Sequence, residues 1–323
     1  MANRIKEKYM AGKRYFDYPM LFLVIFLICF GLVMIYSTSS YKSTVTYGNS
    51  YHWLLRQAVA IVLGAVAMVV CCKLDYRIIK SEKFGNGCYW ASIVLLVLVL
   101  IIGAAKKGAV RWISIAGFQF QPSEVSKILV VIYLANRLSA NAHKIRTFKD
   151  SIVIVLPTVP IIALIVTQNL STALVVCSMI GVMLFVVSPK MKELMLTAGG
   201  GIILLFVYLL TANSYRNERV QIWLHPESHK KGFQTMQALY AIGSGGIFGK
   251  GLGQSMQKMG FIPESHNDMI FSIICEELGL FGAVCLILVF VTLIFRMLLI
   301  ALNTEDLFGS LVVIGFMTCL LYT

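Results

Sequence analysis

The sequence predicts an all-α membrane protein: a polytopic bundle of about nine transmembrane helices carrying one large extracytoplasmic loop. Three observations predict it. The 323 residues are 58% hydrophobic and only 13% charged, whereas a soluble domain is about a quarter charged. The apolar residues gather into runs approaching the ~20 residues that cross a bilayer. The basic residues alternate between sparse and dense loops, as they do when a chain weaves through a membrane.

The expected spans lie near 19–36, 53–72, 87–105, 123–136, 151–167, 172–188, 194–212, 269–295 and 307–323. Ahead of them, residues 1–18 form a basic cytoplasmic segment, and 19–323 read as a single transmembrane domain. The first apolar run is too long for a signal-peptide core and lacks a small-residue cleavage site, so it is the first span. Residues 213–268 are the large outer loop, far longer than an ordinary connection of about 4–6 residues.

A net charge of +13 would suit a nucleic-acid binder, but its distribution argues for a membrane and against nucleic acid. With the N-terminus inside, the inner segments carry Arg4, Lys6, Lys8, Lys13 and Arg14, then Lys73, Arg77, Lys80 and Lys83, and later Arg137, Lys144, Arg146, Lys149, Lys190, Lys192 and Arg296. The short outer segments carry Lys42, Arg56, Lys106, Lys107, Arg111 and Lys127. This is the positive-inside pattern of short loops, from which long loops such as 213–268 are exempt. The eight cysteines sit in or beside apolar spans without metal-ligand spacing, so packing is their expected role.

Two outer segments carry the chemistry. In the first, Trp112 suits the membrane interface, and Pro122 suits the first turn of a helix that Ser123 or a neighbour would cap. Glu124 and Lys127 then fall three apart on one helical face. They read either as an interfacial ion pair or as a pair lining a polar cavity. The second segment is the long loop. Its stretch Ala241–Gly253 is rich in glycine, and glycines let backbone amides approach an anion closely. The spacing to Lys250 does not fit a Walker motif, and a turn-rich re-entrant loop accounts for the composition equally well.

The loop ends at Asp268, where polar sequence re-enters an apolar run. A carboxylate there is costly unless it faces protein or a wet cavity, and loops carry function more often than packed elements do. Chemistry is therefore expected at the outer mouth of a membrane helix, around Asp268. His225, His229 and His266 share the loop with Glu227, Glu264 and Asp268, but none falls in a tight zinc motif. Glu276 would lie about 10 Å into the following helix, a depth that demands a partner or water.

In order along the chain come GLVMIYSTSS (31–40), GAVRWI (108–113), QPSE (121–124) with Lys127, AIGSGG (241–246), GKGLG (249–253), Pro263-Glu264, HND (266–268) and EELG (276–279). Together these closely resemble the SEDS family (shape, elongation, division and sporulation). Residues 251–258 resemble its division and sporulation branch, FtsW and SpoVE, more than its elongation branch, RodA. The resemblance implies a ten-helix peptidoglycan glycosyltransferase of the cytoplasmic membrane. Such an enzyme polymerises lipid II at the outer face for septal or spore cell-wall synthesis, beside a class B penicillin-binding protein and other divisome membrane proteins.

Asp268 matches the family's essential loop aspartate and so becomes the expected catalytic base. Lys127, Arg111, Arg216 and Arg219 are the expected holders of the diphosphate, with the glycine-rich loop's amides as helpers. Glu124, His266 and Glu264 complete the expected substrate-binding set. The family also suggests a divalent cation such as magnesium or manganese.

The sequence departs from the pattern in three places. Asn267 and Met269 flank the aspartate where threonine and phenylalanine are usual, and Asn169 stands where many members are acidic. The sequence ends inside an apolar run, without the family's late outer segment and last helix, so a C-terminal truncation is expected. The alternatives left open are a lipid II flippase and a non-catalytic divisome scaffold.

Overall fold

The computed structural model describes residues 16–106, 109–115, 118–145, 147–188, 199, 221–228 and 232–322. The first part of the chain forms helices α1 (Tyr18–Tyr47), α2 (His52–Lys73) and α3 (Glu82–Ile102), strands β1 (Ala104–Lys106), β2 (Ala109–Ile115) and β3 (Phe118–Phe120), and helices α4 (Pro122–Asn141), α5 (Phe148–Val155), α6 (Val159–Gln168) and α7 (Leu170–Val187). After the long loop begins come α8 (Phe233–Gly245), α9 (Ile270–Asn303) and α10 (Leu307–Tyr322). Six helical segments among the described residues are long and apolar enough to cross a bilayer: 18–47, 52–73, 82–102, 149–168, 170–187 and 270–303. The all-α membrane class therefore stands. The span expected at 194–212 lies outside the described residues except for position 199.

Local signals set the helix ends. Asp17 caps α1 by accepting the Met20 N–H at 2.9 Å, with Pro19 in the first turn. Gly48, at φ 70°, closes α1 by donating its N–H to the Thr44 carbonyl. Ser81 caps α3, and Thr147 with Asp150 forms a reciprocal capping box on α5. Asn169 caps α7 by accepting the Ser171 N–H at 3.1 Å. Asn169 thus plays a polar role at the start of α7. The N-cap of α4 is Gln121, not Ser123. Ser123 instead accepts from the Gln121 side-chain amide.

The chain divides into two compact units, Met1–Met68 with Glu218–Arg296, and Val69–Asn217 with Met297–Thr323. In the second unit α4 is the central helix. Val130, Val131, Leu134, Ala135 and Leu138 are fully buried among α3, α6, α7 and α10. Gly315 of α10 lets the backbones approach, since a Cβ there would meet the Val131 side chain at 2.6 Å. Small residues at such contacts are how membrane helices pack without a hydrophobic driving force between them. The small sheet β1-β2-β3 is antiparallel, pairing Ala105 with Val110 and Ser114 with Gln119. It folds the outer segment back toward the start of α4.

In the first unit α1 and α9 run antiparallel and are fastened at two levels. Near one end the Ser37 hydroxyl makes a bifurcated hydrogen bond to the Glu277 carboxylate, with Oγ 2.8 and 2.7 Å from its two oxygens. Near the other, Arg296 meets Asp17 at 2.6 Å. The intervening runs 18–36 and 278–295 hold no charged residue, and 19 and 18 helical residues span roughly 30 Å. That equals the hydrocarbon thickness of a bilayer, about 30 Å. The two polar fastenings therefore bracket an apolar slab, and Glu277 lies at its boundary rather than at its centre.

Candidate active site

The long loop is organised by a break in α9. Gly279 has φ 68° and ψ −169° inside the helix, a conformation open to glycine alone. A break leaves backbone donors and acceptors without helical partners, and in a membrane these must be satisfied by protein. The glycine-rich segment supplies them. The N–H groups of Lys250 and Gly251 donate to the Glu276 and Glu277 carbonyls, each at 2.9 Å. The Leu280 and Phe281 N–H groups donate to the Gly246 and Ile247 carbonyls at 2.9 and 3.0 Å.

The approach leaves no room for side chains: a Cβ on Gly249 would meet the Glu277 carbonyl oxygen at 2.2 Å, and one on Gly245 the Cys275 carbonyl oxygen at 2.0 Å. This corrects one expectation. The amides of Gly249, Lys250 and Gly251 are committed to backbone carbonyls, so they do not form an anion cradle, and the re-entrant reading of the segment is the one the geometry supports.

Glu276 and Glu277, both 0% exposed, have the partners their depth demands. Glu276 binds Lys250 at 2.7 Å and accepts from Ser255, Ser244 and the Met256 N–H. Glu277 binds Lys258 at 2.7 Å, and the Lys258 ammonium also donates to Ser37 at 3.1 Å. Sequence reading did not single out Ser37, Ser255 or Lys258. The signal was a carboxylate doublet at the start of an apolar helix, which requires cations, and a loop with Lys250 and Lys258 to supply them.

Beyond Lys258 the chain turns back along α1. Ile262 packs with Ala241 and Ile273, and Ser265 donates to the Thr38 carbonyl at 3.4 Å. The His266 ring lies 4.8 Å from Trp53, and the Arg56 guanidinium sits 5.7 Å from the centre of the same indole. Burial pushes the His266 imidazole below its ordinary pKa, helped by the Lys42 cation and opposed by Glu264 and Asp268. Its Nδ1 is buried without a protein partner, as is the Trp53 indole nitrogen. Glu264 adopts a left-handed backbone at φ 55°, a strain of about 1 kcal/mol or more of the kind that collects at functional sites. Asp268 itself is exposed, two residues before α9 begins.

The second unit holds Glu124, Lys127 and Arg111. Lys127, 4% exposed, pairs with the half-exposed Glu124 at 2.8 Å. Arg111 lies on β2, and Arg216 and Arg219 lie outside the described residues. Among the described residues no three His, Cys, Asp or Glu come together as a metal-binding group. The described residues thus offer no such ligand set for a divalent cation, and no step below is routed through one. No disulfide forms among the described residues.

Known proteins share this arrangement. Residues 18–323 match the profile of the FtsW/RodA/SpoVE cell cycle protein family. The chain belongs to that family. It is 35% identical over 315 residues to a probable peptidoglycan glycosyltransferase FtsW of Geobacter metallireducens, covering 94% of this chain and 82% of that protein. It is likewise 35% identical to the stage V sporulation protein E of Bacillus subtilis, covering 93% and 82%.

Among solved structures, a chain from work titled as the structural coordination of polymerization and crosslinking by a peptidoglycan synthase complex superposes with a TM-score of 0.75. It is 28% identical and covers 95% of this chain and 84% of that one. The rod shape determining protein RodA of Thermus thermophilus superposes with a TM-score of 0.67 at 26% identity, covering 95% and 82%. Membership of the FtsW/RodA/SpoVE family makes this a multi-pass membrane protein with the helical architecture described above.

Proposed function

We propose that this protein is a peptidoglycan glycosyltransferase that polymerises lipid II at the outer face of the cytoplasmic membrane, N-terminus inside, for septal or spore wall synthesis. A class B penicillin-binding protein is its crosslinking partner, and other divisome membrane proteins adjoin it. The family relationship supports the activity. The observation that carries the site is an exposed carboxylate, Asp268, at the end of a loop fastened at several points to α1 and α9.

In the reaction a sugar hydroxyl of one lipid II molecule or glycan strand attacks the anomeric carbon of another. The new C–O bond forms as the bond from that carbon to the diphosphate oxygen breaks, and the polyprenyl diphosphate departs with the electron pair. Asp268 takes the hydroxyl proton, a general-base contribution of about 10²–10⁴-fold. The diphosphate is a competent leaving group, so the second, protonated carboxyl of a glycoside hydrolase is not required.

His266, neutral and with an unpartnered ring nitrogen, and Glu264 are the substrate-binding residues beside the base. Lys127, with Arg111, Arg216 and Arg219, supplies the candidates for the diphosphate charge, and Glu124 joins the substrate-binding set as the partner of Lys127. An open groove of about 600 Å³, lined by Val33, Tyr36, Tyr41, Val45, Leu252 and Met259 among others, has the apolar character to hold polyprenyl.

The test is polymerisation of lipid II by the purified protein with its cognate transpeptidase. Asp268→Ala is expected to abolish glycan synthesis while leaving membrane insertion and partner binding intact. Glycan made at the normal rate by Asp268→Ala would remove the base assignment. A folded, partner-bound wild type that moves lipid II across vesicles and makes no glycan would favour the flippase reading.

A further inference from the structure

We propose that Ser37, Lys258 and Glu277 form a positioning device for Asp268, fixing the register of residues 258–268 against α1 and α9. The inference rests on the reading of Asp268 as the base. Lys258 and Glu277 are 5% and 0% exposed and meet at 2.7 Å, and Ser37 bonds to both. One residue further along α1, the Thr38 carbonyl accepts from Ser265. Segment 258–265 is thus tied at both ends to consecutive residues of one helix, and Asp268 follows three residues later. Between the ties the only secondary structure is a series of turns, so the ties rather than a helix or sheet set where the segment ends.

A buried ion pair is a weak device for stability, because desolvation offsets the attraction and an apolar replacement is often neutral. It is a strong device for geometry. A carboxylate accepts along few directions, and Glu277 spends both oxygens on Ser37 and Lys258. Glu277 also lies two residues before the break at Gly279, so the same anchor joins loop, helix break and α1. Misplacing a catalytic group by about 1 Å can cost ~10²-fold in rate. The pair touches neither Asp268 nor the reacting atoms and acts through the backbone of 258–268.

The experiment uses the full chain with its transpeptidase and compares Lys258→Met, Glu277→Gln, the double variant, Ser37→Ala and Asp268→Asn. Thermal midpoint, hydrogen exchange of residues 259–268, and kcat and KM for lipid II polymerisation are read on each. Each single charge variant leaves its partner buried and unpaired and is expected to lose thermal stability. The double variant is expected to regain the midpoint, yet to show faster exchange in 259–268 and a kcat lower by about 10–100-fold. Ser37→Ala, which leaves the charges paired, is expected to lower kcat several-fold with the same exchange signature and decides the matter where the charge variants do not fold. Asp268→Asn is expected to be inactive with wild-type exchange. Wild-type kcat in the double variant or in Ser37→Ala, beside an inactive Asp268→Asn, would overturn the positioning role alone. Full activity in Asp268→Asn would remove the base assignment whatever the exchange shows, and the proposal with it.

Discussion

Ser37 and Glu277 stand 240 positions apart in sequence, and the single Ser37 hydroxyl proton is shared between the two Glu277 carboxylate oxygens, 2.8 and 2.7 Å from Oγ. Their counterpart at the far end of the same helix pair is Asp17 with Arg296 at 2.6 Å. The two fastenings differ in environment. Glu277 and Lys258 are buried, whereas Asp17 and Arg296 are partly exposed. Removing one member of a buried pair costs about 3–5 kcal/mol, while a partly exposed pair contributes about 0–1 kcal/mol. Lys258→Met is therefore expected to lower the thermal midpoint in detergent far more than Asp17→Asn, which also retains the α1 cap. Equal losses would show that the two fastenings are energetically alike.

The break in α9 makes a second expectation. Gly279 is left-handed, and a Cβ there would meet the Gly249 nitrogen at 2.3 Å and the Ile247 carbonyl oxygen at 2.4 Å. Gly279→Ala combines backbone strain with a clash against backbone that cannot swing aside. It is expected to destabilise by more than ~1 kcal/mol and to disturb the loop that ends at Asp268. Gly64, inside α2 with nothing within 4 Å of its would-be Cβ, is the control. Gly64→Ala should hold or raise stability, by about 0.5–1 kcal/mol in a helix interior. Thermal unfolding of the two variants side by side checks the contrast.

Helix content and most spans were legible in the sequence because an uncharged apolar run of bilayer length seldom forms anything but a membrane span. The span expected at 123–136 came out short. Glu124, Lys127, Asn136 and Arg137 interrupt the run, yet α4 extends from Pro122 to Asn141 because protein rather than lipid covers it. Glu124 and Lys127 were legible as a pair because three residues separate them on a helix. The network around Glu276 and Glu277 was not. Its partners lie 19 to 240 residues away, and local spacing records no such distance. The glycine-rich stretch was ambiguous for the same reason: tight turns that would bare amides to a phosphate also let them reach a broken helix, and only the break at Gly279 decides.

The Glu124–Lys127 pair is asymmetric, which makes a third expectation. Lys127 is buried and the Glu124 side chain is half in solvent. Glu124→Ala strands an ammonium in protein, while Lys127→Met leaves a carboxylate that can rehydrate. Glu124→Ala is expected to cost about 1–3 kcal/mol, below the value for a fully buried pair because solvent screens one member. Lys127→Met is expected to be milder in stability and harsher in turnover, as loss of a diphosphate contact would be. Thermal midpoints with polymerisation kinetics on both variants give the comparison, and normal turnover in a folded Lys127→Met protein would remove Lys127 from the substrate-binding set.

His266 gives the protein a pH dependence of definite sign. Its pKa is lowered in the fold by burial and by Lys42, so at pH values between the folded and unfolded pKa the unfolded chain binds more protons. Stability from this group is fully present above the unfolded imidazole pKa of about 6.5. It is lost as pH falls below that value, and the loss ends once pH passes the lower folded pKa. His266→Phe keeps an aromatic ring against Trp53 and removes the titration. The wild-type thermal midpoint should therefore fall more steeply than the variant's between about pH 7.5 and about pH 5.5, two values that bracket the ordinary imidazole pKa of about 6.5. Parallel curves would mean that His266 titrates normally, and that the neutral imidazole beside Asp268 is not what the fold maintains.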